Sequence, residues 1–256
     1  MARPTMTTTQ QLRGAPIDTM DCLRRGASLC GDQYWLLVVM GALFMLIVNA
    51  QTALLPLPIL LGPLTCGMYS ALRARSRGER IVLGRLFDGF RCFGTAFLAS
   101  LLHLLVLLVT AIPFGMALGL CGSIAGVAFG NGAEVVGACL ATLFGLIGLA
   151  LAVALLIANT LILFTYPLIM ERGLSAAAAL AASARGVRRH IGSLIVLNAV
   201  LALLTSVAYL ALILPGLLVF PVSMAATWVA YRHVFPEEAA VEEASSGRGV
   251  APIGEA

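Results

Sequence analysis

The side chains able to do chemistry are few and stand far apart. Within the long apolar stretches the polar residues are Asn49, Gln51, His103, Asn159, Thr160 and Asn198, and no carboxylate accompanies them. A polar or ionisable group held in hydrocarbon is costly, so each marks a site by default. His103 is the titratable member of the set, and a neutral imidazole can carry a proton or ligate a metal. A metal would need a second His, Cys or carboxylate at i+3 or i+4, where Val106 and Leu107 stand instead. The simpler reading is a histidine hydrogen-bonded among packed helices, with Asn159 and Asn198 making interhelical hydrogen bonds of about 1 kcal/mol each. His103, Asn159 and Asn198 are the candidate intramembrane positions; no catalytic residue, metal or cofactor is expected.

Other chemistries find no template. There is no His-Glu-x-x-His, no Gly-x-Ser-x-Gly, no Walker loop and no pair of carboxylates inside an apolar stretch. Proton- and cation-coupled transporters keep an acidic residue at depth, which weakens that class too. The six cysteines, Cys22, Cys30, Cys66, Cys92, Cys121 and Cys139, lack the close pairing of metal or redox motifs and read as small apolar fillers. Arg185, Arg188 and Arg189 form the densest basic cluster and could grip a lipid phosphate. Plain topology would put arginine there as well, and that reading is the simpler one.

The elements that must position these groups follow from composition. Of 256 residues 60% are apolar and 11% charged, against about a quarter charged in a soluble domain. So little charge cannot cover the surface of a soluble protein this long. The fold class expected is therefore all-α, a polytopic integral membrane bundle. Six spans are predicted, at residues 34–55, 57–72, 92–118, 135–168, 191–213 and 215–231, each near the ~20 apolar residues that cross ~30 Å of hydrocarbon. The second and sixth are short and interrupted, by Pro58, Gly62, Pro63 and Gly67 in one and by Gly216 and Pro221 in the other.

Arginine settles the parity. All 16 basic residues are Arg, and six crossings with the N-terminus inside leave every one on the cytoplasmic side. The external connections then hold one charge, Glu134. Tyr34, Trp35, Tyr69, Tyr166, Trp228 and Tyr231 fall at the cytoplasmic ends of their spans, where aromatic residues seek the interface; Tyr209 is the exception. The N-terminus is too polar for a secretory signal and is expected to be retained.

Outside the spans, residues 1–15 are expected to be flexible, and the membrane domain runs over 16–234. It opens with an interfacial helix at 16–32, in which Ile17, Met20, Leu23 and Ala27 recur at helical spacing. Polar stretches at 81–91 and 174–190 repeat the plan of surface helix, span, turn and span. Gly115, Gly119, Gly122, Gly126 and Gly130 have the spacing of a small-residue packing face, with a turn signal at Asn131-Gly132. The acidic tail, 235–256, has nothing to bury and is expected to be disordered.

The segments Gly62-Pro63-Leu64, Gly67-Met68-Tyr69, Arg77-Gly78-Glu79 and Leu86-Phe87-Asp88-Gly89-Phe90-Arg91 resemble a broad bacterial group of uncharacterised multi-span membrane proteins. That group is similar to the membrane domain of some glycerophosphodiester phosphodiesterases. Glu171-Arg172-Gly173-Leu174-Ser175, followed by Ala182-Ser183 and the arginine cluster, is its second hallmark. The resemblance covers residues 17–234. It implies a multi-span bundle with interfacial helices and no established activity of its own. The phosphodiesterase catalytic domain is absent, and no catalytic residue carries over.

The function expected is that of a non-enzymatic scaffold, assembly or regulatory component of the bacterial inner membrane. Its partners would be the bilayer and anionic lipid headgroups, with a membrane protein or a second copy of the chain, and no nucleic acid. The alternative is a transporter or permeation pathway for lipid or a small solute, built around the broken second and sixth spans. Its sign would be a polar cavity near Gly62, Gly67 and Asn159.

Overall fold

The computed structural model describes residues 18–55, 57–211 and 213–235. The expected flexible terminus, Ile17 of the first helix and the acidic tail beyond Phe235 lie outside the described residues, as does the Tyr209 side chain. What is described is helical, with no strand among the described residues. The order is α1 (Thr19–Cys30), a 3-10 turn (Gly31–Gln33), α2 (Tyr34–Leu54), α3 (Leu61–Ser76), a 3-10 segment (Leu83–Cys92), α4 (Phe93–Gly130), α5 (Glu134–Leu161), α6 (Thr165–Arg172), α7 (Ala176–Arg188), α8 (Ile191–Ala211) and α9 (Ile213–Val234).

Among the described residues, four helical stretches are long and apolar enough to cross a membrane: Thr19–Leu54, Leu83–Gly130, Glu134–Arg172 and Ile191–Ala208. This is the signature of a membrane protein. The two interrupted segments are not among the four. α3 has 16 residues, about 24 Å of helix against ~30 Å of hydrocarbon.

α4 departs most from its expected length. Its 38 residues make about 57 Å of helix. The span predicted here ends at 118, yet the helix runs on to Gly130 and turns at the predicted Asn131-Gly132 signal, with Gly132 at φ 74° and Ala133 N–H donating to Ala128 C=O at 2.9 Å. Each interior glycine costs about 0.5–1 kcal/mol relative to alanine. Opening the backbone in an apolar medium would cost several kcal/mol per unsatisfied group, so helix wins.

The chain divides into two compact units. The first comprises Met1–Leu43, Met68–Arg85 and Arg185–Ala256. Here α1 starts on Asp18, whose side chain accepts from Met20 N–H at 2.9 Å, and α1 lies against α9. The buried face of α1 is Cys22, Gly26 and Cys30, while Met20, on the apolar face read as interfacial, is 58% exposed. The reason is distance. A Cβ on Gly26 would stand 2.6 Å from the backbone nitrogen of Ala226, so only the small-residue face admits so close an approach.

Long side chains tie this unit together. The Arg75 guanidinium donates to Leu29 C=O at 3.1 Å and pairs with the Asp32 carboxylate. Gln33 mimics a backbone ladder: its carbonyl accepts from Ile81 N–H at 2.9 Å and its amide donates to Ile81 C=O at 3.4 Å. The Tyr34 hydroxyl donates to Leu218 C=O at 2.8 Å. The expected aromatic belt is mostly a core: Tyr69, Trp228 and Tyr231 are buried, with ring centroids 6.1 Å apart for Tyr69–Trp228 and 5.4 Å for Trp228–Tyr231. Trp35, by contrast, is 71% exposed.

The second unit comprises Phe44–Gly67 and Leu86–Ala184. Its main contact is the antiparallel hairpin of α4 and α5. The start of α3 is sandwiched against the 3-10 segment and α4 at backbone distance: a Cβ on Gly62 would meet Ala96 C=O at 2.2 Å, one on Gly67 would meet Leu86 C=O at 1.8 Å, and one on Gly89 would meet Pro63 C=O at 1.9 Å. At the break between α5 and α6, buried Ser183 donates to Leu161 C=O at 2.8 Å and accepts from Phe164 N–H at 3.1 Å. α6 ends on Gly173 in the left-handed region, φ 61°, the usual glycine C-cap.

Candidate functional site

In the second unit the end of α2, the turn after it, the start of α3 and the early turns of α4 enclose a cavity of about 270 Å³. Gln51, expected as an intramembrane polar group, holds the turn after α2. Its amide donates to the carbonyls of Leu55 and Leu57, and its oxygen accepts from Leu60 N–H at 3.1 Å. Asn49 is spent on its own helix, donating to Met45 C=O at 2.7 Å.

The cavity wall is apolar except for Thr52, Ser100 and His103. Ser100 and His103 stand at i and i+3 on α4 and so share a face. Ser100 donates its proton to Ala96 C=O at 3.1 Å. The Tyr166 hydroxyl, 3.3 Å away, must then be the donor in its contact with Ser100 Oγ. The ring of Tyr166 lies near-parallel to that of His103, centroids 6.3 Å apart. His103 Nδ1 is buried and has no hydrogen-bond partner. Thr52 donates to Val48 C=O at 2.8 Å.

The three expected polar positions do not form one constellation around this cavity. Asn159, on α5, does not line it. Asn198, on α8, is buried in the first unit. The groups that accompany His103 are Ser100 and Thr52, which did not stand out beforehand, and Tyr166, which was read as an interface aromatic. Ser100 was findable from its i+3 spacing to His103; Tyr166 comes from α6 and has no local signal.

Two of the scattered cysteines also meet. Cys66 and Cys92 lie close together because Pro63 and Gly67 on one side and Leu86 and Gly89 on the other touch through backbone, and each thiol donates to a carbonyl, Cys66 to Tyr166 at 3.9 Å and Cys92 to Gly89 at 3.2 Å.

The basic cluster lies in the first unit. Arg185, Arg188 and Arg189 are exposed around the end of α7. Gly186 between them packs under the Phe235 ring, where a Cβ would stand 2.6 Å from its tip. Nearby, at the end of α9, His233 keeps Nε2 buried without a hydrogen-bond partner. Burial, then the charges of His190 and Arg25, hold its pKa below the ordinary 6.5, while Asp21 acts the other way. Arg25 is itself paired with Asp21 at 2.8 Å. The surface is cationic and can receive an anionic headgroup.

Comparison with known proteins finds no family model that matches the chain, no similar curated protein and no similar solved structure.

Proposed function

We propose that this chain is a non-enzymatic component of the bacterial inner membrane that organises or assembles other membrane components through an open helix face of α4. In this reading the chain crosses six times, both ends are cytoplasmic, and Arg185, Arg188 and Arg189 rest on anionic lipid headgroups. One-sided arginine supports the orientation.

One observation carries the assembly role. Gly115, Gly119, Gly126 and Gly130 on α4 are exposed, and a Cβ on any of them would meet nothing within 4 Å. Small residues at these spacings let a second helix approach closely, which is how helices associate where lipid removes the hydrophobic drive. The chain does not use this face itself. Gly145 and Gly148 on α5 are open in the same way. A cleft of about 400 Å³ between the two helices at Pro113, lined by Phe114, Ala117, Leu146, Ile147 and Ala150, offers a seat beside it.

The membrane-domain resemblance belongs to this proposal. Its support is that Gly62, Gly67, Gly89 and Ser183, all within the resembling motifs, sit at the tightest contacts and the best-used hydrogen bonds of the second unit. The permeation reading has the His103 cavity in its favour, but the Gly62 to Gly67 region where its pathway was expected is closed by backbone contact.

The test is thiol crosslinking in native membranes with Met116→Cys, a position 72% exposed beside Gly115 and Gly119. The proposal expects a crosslinked species larger than the protomer, lost when Gly119→Leu is added. Recovery of the free protomer alone would count against it.

A further inference from the structure

We propose that the tip of the α4–α5 hairpin, residues 119–144, is a pairing arm that docks on the same tip of a second copy of this chain. The inference rests on the assembly reading above and names its partner.

Length is the first observation. α4 is one helix from Phe93 to Gly130, 38 residues and about 57 Å. Between Arg91 and Glu134 the chain holds no acidic residue and no arginine, so nothing along this rod marks an exit from the membrane. Hydrocarbon ~30 Å thick would cover all of it only at a tilt near ~60°, and spanning helices tilt by about 0–40°. At 40° about 39 Å of the helix is covered and about 18 Å, roughly twelve residues, is left over. The base does not hold the excess, because Arg85 and Arg91 just before α4 belong with the headgroups. It falls at the other end, on residues 119–130 and the part of α5 beside them.

The surface of that end is the second observation. α5 covers one side of it: Cys121 donates to Leu140 C=O at 3.2 Å, Gly122 lies beside the Phe144 ring, and Gly137 lies under the Phe129 ring. Away from α5 the tip is bare. Leu120, Ile124, Val127, Phe129, Val135 and Val136 are 48% to 78% exposed. Six such side chains present on the order of 600 Å² of apolar surface, at the limit for the largest patch of a typical monomer. The exposed Leu143 and Phe144 of α5 bring the tip toward the roughly 800 Å² that each partner gives a stable interface.

These two observations choose the occupant. Lipid covers the part of the hairpin within the hydrocarbon and not the part beyond it, so the tip needs protein. An uncharged surface gives a foreign partner nothing to match electrostatically. It does match itself, because recess and knob stand side by side: a Cβ on Gly119, Gly126 or Gly130 would meet nothing within 4 Å, and Leu120 and Val127 project next to them. Two copies related by a two-fold axis seat each knob in the other's recess, the commonest closed arrangement of subunits. Glu134 stands exposed at the turn, where such pairing leaves it in water.

The experiment co-expresses two full-length copies that carry different affinity tags. Both bear Val127→Cys with Cys139→Ser, which leaves one exposed thiol at the tip. Native membranes are treated with a short bifunctional maleimide, and the product is isolated through both tags in turn. The expected result is a species of twice the protomer mass that carries both tags and is lost when Gly126→Leu fills the recess. Gly126 is exposed, so the Gly126→Leu protomer should unfold in detergent at the same temperature as the parent. A second readout needs no substitution. A phospholipid with a diazirine in its acyl chain should label residues 98–112 of the parent chain several-fold more strongly than 119–144. Equal labelling of the two segments would show that lipid covers the tip and would overturn the proposal. Crosslinked species that never carry both tags would overturn it too while leaving the assembly reading intact, since the partner is then a different protein. Free protomer alone would sink both.

Discussion

Two glycine-rich regions of the second unit do opposite things. Around Gly62, Gly67 and Gly89 the missing side chains let backbone touch backbone, with notional Cβ contacts of 1.8 to 2.2 Å. Along α4, Gly115, Gly119, Gly126 and Gly130 face open space. In the first region glycine is consumed by the fold; in the second it is left over. A small residue permits a close approach and does not say what approaches, so the partner for the second set must come from outside the chain or the set must be idle.

The sharpest way to break this contrast is to fill the first region. Gly67→Ala and Gly89→Ala should each cost about 3 kcal/mol or more, since the atom a methyl group meets is backbone and cannot step aside, and thermal unfolding in detergent would show it. Tolerance of either change would mean the closed packing is not real. Next in size is Ser183→Ala, which leaves Leu161 C=O and Phe164 N–H unmet at a buried helix break. The expected loss is about 1–3 kcal/mol, restored in part by Thr.

The contrasting substitution, Gly126→Ala, should stabilise the chain by about 0.5–1 kcal/mol, because an exposed helical glycine gains from a methyl group that touches nothing. A loss of stability there would show that α4 is already covered by its own chain. The smallest effect belongs to His233. Its folded-state pKa lies below the ordinary 6.5, so between the two values the unfolded chain binds more proton. Stability is then complete above about pH 6.5 and declines as pH falls through that value toward the folded one. His233→Asn should flatten that part of a stability profile; an unchanged slope would place the titration elsewhere.

Much of the helical framework was legible because long apolar runs leave no other way to satisfy the backbone in lipid. The extent of α4 was not. The predicted span ends at 118, whereas the helix continues through Gly119, Gly122, Gly126 and Gly130, because each glycine weakens a helix by only about 0.5–1 kcal/mol. The aromatic residues misled for a related reason: Tyr69, Trp228 and Tyr231 sit near span ends in sequence, but whether such a ring faces headgroups or a neighbour depends on packing partners far along the chain. The same holds at the cavity. His103 announced itself, while Tyr166, 66 residues from Ser100, and the nearness of Cys66 to Cys92 needed the fold. On α1 the helical periodicity was legible, while the small-residue face that packs, Cys22, Gly26 and Cys30, was not, since it is marked by the absence of a side chain at Gly26.

The central claim is that α4 holds its glycine face for another helix. Extraction of the chain directly from native membranes into polymer-bounded nanodiscs, followed by single-particle mass measurement, tests it without added label. Particles of the parent chain should hold more protein than one protomer, and particles of Gly119→Leu should hold one. Equal single-protomer masses for both would contradict the claim.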